Sequence, residues 1–350
     1  MYSINITRTK ASKINEVDFK NLGFGTVFSD HMLVCDYSDG KWGDAEVVPY
    51  QAISLMPSAK IFHYGQSIFE GMKAYKDSTK KTWLFRPEEN YKRFNISAKR
   101  LAIPELPKAV FIEGLKALLK VDEQWIPTLD GSSLYIRPFI FATGEGFHAS
   151  PADAYRFIIC TAPSGPYFAG KIKVLIEQNY SRSANGGVGY AKAGGNYAGQ
   201  FYPTQLAIDK GYSQVIWTDD HSHEYIEEAG SMNIFVRIND TLITGPTSDR
   251  ILDGITRKSI LEIAEDEGIK VEVRKFTVTE VVKASKDGSL KEMFGAGTAA
   301  VISPIAGFGY KGVDYDLPEQ DSPMAVRLKK RITDIQTNKA EDLFGWTLSV

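Results

Sequence analysis

Two hydrophobic periods run side by side along this chain, and their order limits what it can fold into. Apolar runs of strand length, "MLVCDYSDGKW", "TWLFRP", "SLYIRPFIFAT" and "YRFIICTAP", are spread through the first half. Between them lie two stretches whose apolar residues recur at helical spacing. Tyr91, Phe94, Ala98 and Leu101 do so in "EENYKRFNISAKRLAIP", which Pro104 closes, and Phe111, Leu115, Leu118 and Leu119 in "PKAVFIEGLKALLKVD". The second half repeats the mixture with the strand-like "KIKVLIEQ", "QVIWTDD", "MNIFVRI" and "GIKVEVRKFTV". Its helix is "TRKSILEIAEDEG", with Thr256 as cap, Ile260, Leu261 and Ala264 on the buried face and Gly268 past the end. A last helix is expected over "PMAVRLKKRITDIQTNKA". Strict strand–helix–strand alternation is missing, so an α/β fold with mixed sheets is predicted.

A chain of 350 residues suggests two domains. Small residues, glycine and proline cluster at "APSGPYFAGK", which predicts a domain of residues 1–161, a connecting loop at 162–171 and a second domain of 172–350. The net charge of -2 offers no electrostatic case for nucleic acid or an anionic membrane. The N-terminus lacks a signal-peptide core, and no run is long and apolar enough to span a bilayer. Cys35 and Cys160 each stand alone in an apolar context, against a disulfide framework or a cysteine zinc site. A reducing, cytoplasmic compartment is expected.

The stretch "NGGVGYAKAGGNYAGQ" sets six glycines around Lys192. Glycine lets a backbone press against a flat ligand, and an amine becomes a nucleophile when burial or nearby positive charge lowers its pKa. Tyr197 is placed to hold a polar group of the same ligand; a merely flexible loop is the plain alternative. In "EYIEEAGSMNIF", Glu227 and Glu228 precede small residues and a strand, which suits an inward acid or an ordinary solvated pair. Gly254-Ile255-Thr256 opens a helix whose N–H groups can take a phosphate, or is simply a capped start. "FGAGTAAVISP" reads as a second glycine-rich turn with Thr298 as hydroxyl donor. Arg93 lies off the apolar stripe of its helix, and Arg137 sits in a core-like strand. A buried arginine needs a phosphate, a substrate carboxylate or an internal acid. "HSHEY" lacks a third ligand beside His221 and His223, so no metal site is expected there.

These motifs together resemble the branched-chain amino-acid aminotransferases, pyridoxal-phosphate enzymes of fold type IV. The matching stretches run in family order from "FGTVFSDHML" through "HYGQSIFEGMKAY", "LFRPEENYKRF", "SLYIRP", "GGVGYAKAGGNYA", "EEAGSMNIF" and "LDGITRKSIL" to "GAGTAAVISP". The resemblance implies two α/β domains with the cofactor between them, and a homodimer. It gives Lys192 the Schiff base with pyridoxal 5'-phosphate and the role of proton shuttle. Tyr197 would bond the ring's phenolic oxygen, and Glu228 would keep its nitrogen protonated. Arg93, the N–H groups of Ile255 and Thr256, and Thr298 would hold the phosphate. Phe24, Tyr64, Phe69, Tyr135 and Met232 would line the side-chain pocket. Arg137 and Tyr135 would place the substrate, the N–H groups of Thr298 and Ala299 would take its α-carboxylate, and Phe147 would reach into the partner's site. The implied reaction exchanges the amino group of leucine, isoleucine or valine with 2-oxoglutarate, by ping-pong kinetics. The rival readings are a D-amino-acid aminotransferase and an aminodeoxychorismate lyase. The chain departs from mammalian members at Ala300 and Ser303, where those have cysteines. It also has Ser231 where threonine is common, and a different loop in "FATGEGFHASPADAY".

Overall fold

The computed structural model describes residues 3–165, 170 and 172–350. Residues 166–169 and 171 of the expected connector therefore lie outside the described residues. The chain forms two compact units. One is Met1–Tyr167 with Ala191–Gly195 and Asp334–Val350; the other is Phe168–Tyr190 with Asn196–Thr333. A linear division would keep residues 172–350 together, whereas the segment around Lys192 and the C-terminal stretch pack with the first unit.

The first unit holds a ten-stranded sheet among the described residues. Its centre pairs His31–Ser38, Tyr155–Ser164, Ser133–Ala142 and Met72–Lys76, all antiparallel. Ile4–Ile6 joins Ala45–Pro49 in parallel at one end, so the sheet is mixed. The Pro87–Arg100 helix starts with Pro87, has Glu88 and Glu89 in its first turn and ends on Lys99 and Arg100, in accord with the helix dipole. Its residues Phe94 and Ala98 are fully buried, as the spacing predicted. Phe94, Phe111 and Phe157 form a ring cluster with centroids 5.4–6.0 Å apart. The second apolar stripe begins as a π-turn, Ala109–Glu113, and runs on as an α-helix, Gly114–Val121. A β-carbon on Gly114 would lie 2.7 Å from Leu33 Cδ2, so glycine lets this helix approach the sheet.

The second unit holds a nine-stranded mixed sheet among the described residues. Ile172–Ile176 lies parallel to both Gln214–Thr218 and Val301–Tyr310, and Met232–Ile238 is antiparallel to Ile226–Ala229, Thr241–Thr244 and Leu290–Gly297. The Ile255–Asp266 helix buries Ile260, Ile263 and Ala264, and Gly268 follows it with φ +65°. Its cap differs from expectation. Gly254 is the N-cap and Thr256 lies inside the first turn, so no side chain caps the helix start. "FGAGTAAVISP" is also mostly strand rather than turn. Leu290–Gly297 and Val301–Tyr310 pair antiparallel, and only Thr298 to Ala300 connect them. Glycines read as turn formers there because local composition does not report the cross-strand packing that demands them. A β-carbon on Gly295 would lie 2.6 Å from Met232 Cε.

Candidate active site

In the first unit the backbone around Lys192 is held from two directions. The Lys192 N–H donates to Ser97 Oγ at 2.9 Å, and its carbonyl accepts the Phe69 N–H at 3.0 Å. Ser97 is fully buried and donates in turn to the Arg93 carbonyl at 3.0 Å. The Lys192 amine lies over the Phe69 ring, 4.9 Å from its centroid. The Arg137 guanidinium also lies over Phe69, at 4.6 Å, and its Nη2 donates to the Tyr135 hydroxyl at 2.8 Å. Phe24 meets Tyr135 edge-on at 4.9 Å. Thus Lys192, Phe69, Arg137, Tyr135 and Phe24 form one linked group. Tyr64 and Phe147 form another, through a hydrogen bond from the Tyr64 hydroxyl to the Phe147 carbonyl. Phe147 is 72% exposed.

Arg93 corrects the expectation drawn from helix periodicity. It is 7% exposed and lies on the inner face with Asn90, Phe94, Ser97 and Ala98. Of the partners a buried arginine can have, the structure supplies an internal acid. Arg93 Nε and Nη2 reach the two carboxylate oxygens of Glu70 at 2.7 and 2.8 Å, and Asn90 donates to the same carboxylate at 2.7 Å. Burial pushes the Glu70 carboxyl up, but Arg93, then Lys192 and Asn90, bring it below the ordinary glutamate range. Glu70 and Ser97 were not legible as site residues, because "FEGM" and "NISA" read as ordinary strand and helix.

In the second unit Glu228 and Glu227 are adjacent on Ile226–Ala229, so strand alternation points them to opposite faces. Both are buried, at 3% and 5% exposure, which removes the solvated-pair alternative. Glu228 Oε2 is 2.7 Å from Arg182 Nε; its Oε1 accepts the Leu252 N–H at 3.0 Å and Asn233 Nδ2 at 3.2 Å. Glu227 pairs instead with Arg250, at 2.6 Å. Asn233 Oδ1 packs so tightly on Gly254 that a β-carbon there would lie 1.9 Å away. Ile255 and Thr256 are buried in the uncapped first turn. Thr298 and Ala299 are half-buried in the turn before Val301, and Tyr197 is half-buried in the short Gly194–Ala198 helix. Val301 has φ +60°, and the Ile302 N–H donates across it to the Ala300 carbonyl at 2.8 Å. A β-branched residue there is strained, and such strain collects at functional turns.

Of the glycines before Lys192, Gly189 answers to packing within the second unit. A β-carbon on Gly189 would lie 2.4 Å from Ser183 Oγ and 2.5 Å from the Arg250 carbonyl, so this glycine packs against protein.

The first unit thus carries a half-buried lysine with a fixed main chain, and the second a buried carboxylate with fixed donors and a helix start without a side-chain cap. Residues 67–308 match the family model described as amino-transferase class IV. The chain belongs to that family, among its branched-chain-amino-acid aminotransferases, and is a pyridoxal-phosphate-dependent transferase. Over 99% of its length it is 42% identical to branched-chain-amino-acid aminotransferase 2 of Bacillus subtilis, of which 96% is covered. It is 41% identical to the branched-chain-amino-acid aminotransferase of Mycolicibacterium smegmatis, with 97% and 95% coverage. Among solved structures, the Escherichia coli branched-chain amino acid aminotransferase superposes with TM-score 0.72 at 27% identity, covering 91% of this chain and 98% of that one. Another branched-chain amino acid aminotransferase, solved in complex with N-(5'-phosphopyridoxyl)-L-glutamate, gives TM-score 0.72 at 25% identity, with 90% and 97% coverage.

Proposed function

We propose that this chain transfers the amino group of leucine, isoleucine and valine to 2-oxoglutarate, by ping-pong kinetics, as a cytoplasmic homodimer. The observation that carries the reading is Lys192, its main chain fixed by Ser97 and Phe69 and its amine seated on an aromatic face. The branched-chain names of relatives about 42% identical favour it over the D-amino-acid and lyase readings.

The residues present fit pyridoxal phosphate by the chemistry of their donor set: an amine, a buried carboxylate, a tyrosine and uncapped helix N–H groups. When bound, that cofactor supplies an aldehyde for amines and a ring that draws charge from the substrate α-carbon. Lys192 Nζ would hold the cofactor through its aldehyde carbon, and its free amine would remove the substrate α-proton as general base. The Phe69 face stabilises the ammonium that results by roughly 0.5–1 kcal/mol. Glu228 would hold a proton on the ring nitrogen, and Tyr197 would bond the phenolic oxygen. The Ile255 and Thr256 N–H groups and Thr298 would take the phosphate, and Arg93, oriented by Glu70, would assist them. Phe24, Tyr64, Phe69 and Met232 offer apolar surface to branched side chains. Thr298 and Ala299 take the α-carboxylate through their N–H groups. A second carboxylate, that of glutamate or 2-oxoglutarate, falls to Arg137 and Tyr135. Arg137 Nε is buried without a hydrogen-bond partner among the described residues, which suits a site awaiting an anion.

The homodimer is supported by apolar side chains left at the surface of the first unit. Met56, Phe62 and Phe147 are 60–72% exposed, and Tyr64 and Phe28 about two-fifths. No helix among the described residues is long and apolar enough to cross a membrane.

The test is a panel of amino donors with 2-oxoglutarate as acceptor, run beside Lys192→Ala. Leucine, isoleucine and valine should exceed aspartate, aromatic donors and D-alanine, and Lys192→Ala should lose turnover while keeping its circular dichroism spectrum. A wild-type preference for D-alanine, or near-normal leucine turnover in Lys192→Ala, would end the reading.

A further inference from the structure

Arg182 has no part in the functions described so far, yet it is built into the second unit from both ends. Its side chain is 6% exposed, and Nε lies 2.7 Å from Glu228 Oε2. At the other end of the fork Nη2 donates to the carbonyls of Gly189, at 2.9 Å, and Arg250, at 2.5 Å. Residue 189 is glycine where a β-carbon would lie 2.4 Å from Ser183 Oγ and 2.5 Å from the Arg250 carbonyl, so the close approach of these carbonyls depends on it. The guanidinium is therefore fixed before any ligand arrives. Glu228 Oε1 is fixed as well, by the Leu252 N–H and by Asn233. The neighbouring acid does not compete, since Glu227 has Arg250, and Arg250 has Asp220 as a further partner at 2.9 Å.

We infer that Arg182 is a positioning residue that keeps the proton shared by Glu228 and the cofactor's ring nitrogen on the nitrogen. The inference rests on the reading that Glu228 faces that nitrogen. Two bases then share one proton. A fixed positive charge against the carboxylate stabilises its charged form, and does so more than it penalises a charged nitrogen lying beyond, because Coulomb energy falls with distance. With Arg182 removed, a carboxylate buried away from water becomes the better base and takes the proton itself. The ring would then hold its nitrogen neutral and draw less charge from the substrate. Arginine suits the task because its planar fork reaches a carboxylate and two carbonyls at once and stays charged. Lysine offers a single point of charge.

The experiment loads the holoenzyme with pyridoxal phosphate carrying nitrogen-15 in the ring and reads the nitrogen chemical shift. It compares wild type, Arg182→Met, Arg182→Gln and Glu228→Gln, with kcat and KM for leucine measured on each. Wild type should show a protonated nitrogen. Both Arg182 variants should move toward the unprotonated shift and lose kcat by about 10–100-fold, the range for groups that orient a binding residue from behind. Their KM for leucine should move far less. Adding Arg182→Met to Glu228→Gln should cost little more, since the two act through one contact. A protonated nitrogen with near-normal kcat in the Arg182 variants overturns the proposal, as does a kcat loss that simply multiplies in the double variant. If Arg182→Met does not fold, Arg182→Gln decides by the same criteria. A nitrogen still protonated in Glu228→Gln would instead overturn the reading of Glu228 itself.

Discussion

In the role proposed for it, Arg137 would serve two substrates of unlike polarity. Its guanidinium lies over the Phe69 ring at 4.6 Å, Nη2 bonds Tyr135, and Nε is buried without a hydrogen-bond partner among the described residues. A glutamate carboxylate placed there without a partner would be costly to bury. Arg137→Leu should accordingly weaken the glutamate half-reaction more than the leucine one, measured as separate single-turnover rates. Equal losses would make the residue structural. The cysteines give a second expectation at this scale. Burial, then Asp36, Asp44 and Glu46, pushes the Cys35 thiol up to about 12, and burial pushes Cys160 up to about 11. Thiolate is the reactive form, so both should be slow to oxidise. Ala300 and Ser303 offer no thiol beside the Thr298 turn. Dilute peroxide should leave activity nearly unchanged and dithiothreitol should not raise it. Rapid, thiol-reversible inactivation would contradict this.

The Pro87–Arg100 helix acts as a rack. Its inner face sets Arg93 and Ser97 one turn apart, the first on Glu70 and the second on the Lys192 N–H. Glu70→Gln would leave a buried guanidinium without its counter-charge, a change that costs about 3–5 kcal/mol when a buried pair is broken from one side. Thermal unfolding of the two proteins should show it. The pH dependence follows from the depressed carboxyl. Its stabilising contribution is full above the unfolded-state value near 4.5 and is lost as pH falls toward the lower folded-state value. Wild-type Tm should therefore fall more steeply below that pH than the Tm of Glu70→Gln. Parallel curves would show that Glu70 does not titrate with unfolding.

At the scale of the whole molecule the expectation concerns assembly. Met56 and Phe62 are exposed apolar residues on the first unit, and residues between and beside them meet the loop of Glu145 and Phe147 through the Ala59–Glu145 bridge and the His63–Phe147 ring contact. Large exposed apolar patches often mark protein–protein or membrane contacts, and the proposed dimer would use this one. Sedimentation of Phe62→Glu should show a shift from dimer toward monomer, with loss of turnover if Phe147 serves the partner. A wild-type protein that sediments as a monomer would remove the proposal.

The sequence by itself determined what depends on neighbours within a turn or two. Apolar spacing located Phe94, Ala98, Phe111 and Leu115 in the core, and Gly268 took the left-handed position its chemistry allows. The ordered set of motifs identified the family. Local pattern could not place Thr256, because a glycine cap leaves no side-chain signal. Nor could it tell that Arg93 faces inward, since a polar residue is buried only when a distant acid waits for it. Glu70 for Arg93, Ser97 for Lys192 and Arg182 for Glu228 are pairings across 23 to 95 residues of chain. Only tertiary structure decided them, because a buried charge or N–H takes whichever partner the packed sheet and helix bring within hydrogen-bond reach, and that distance is not encoded in any one segment.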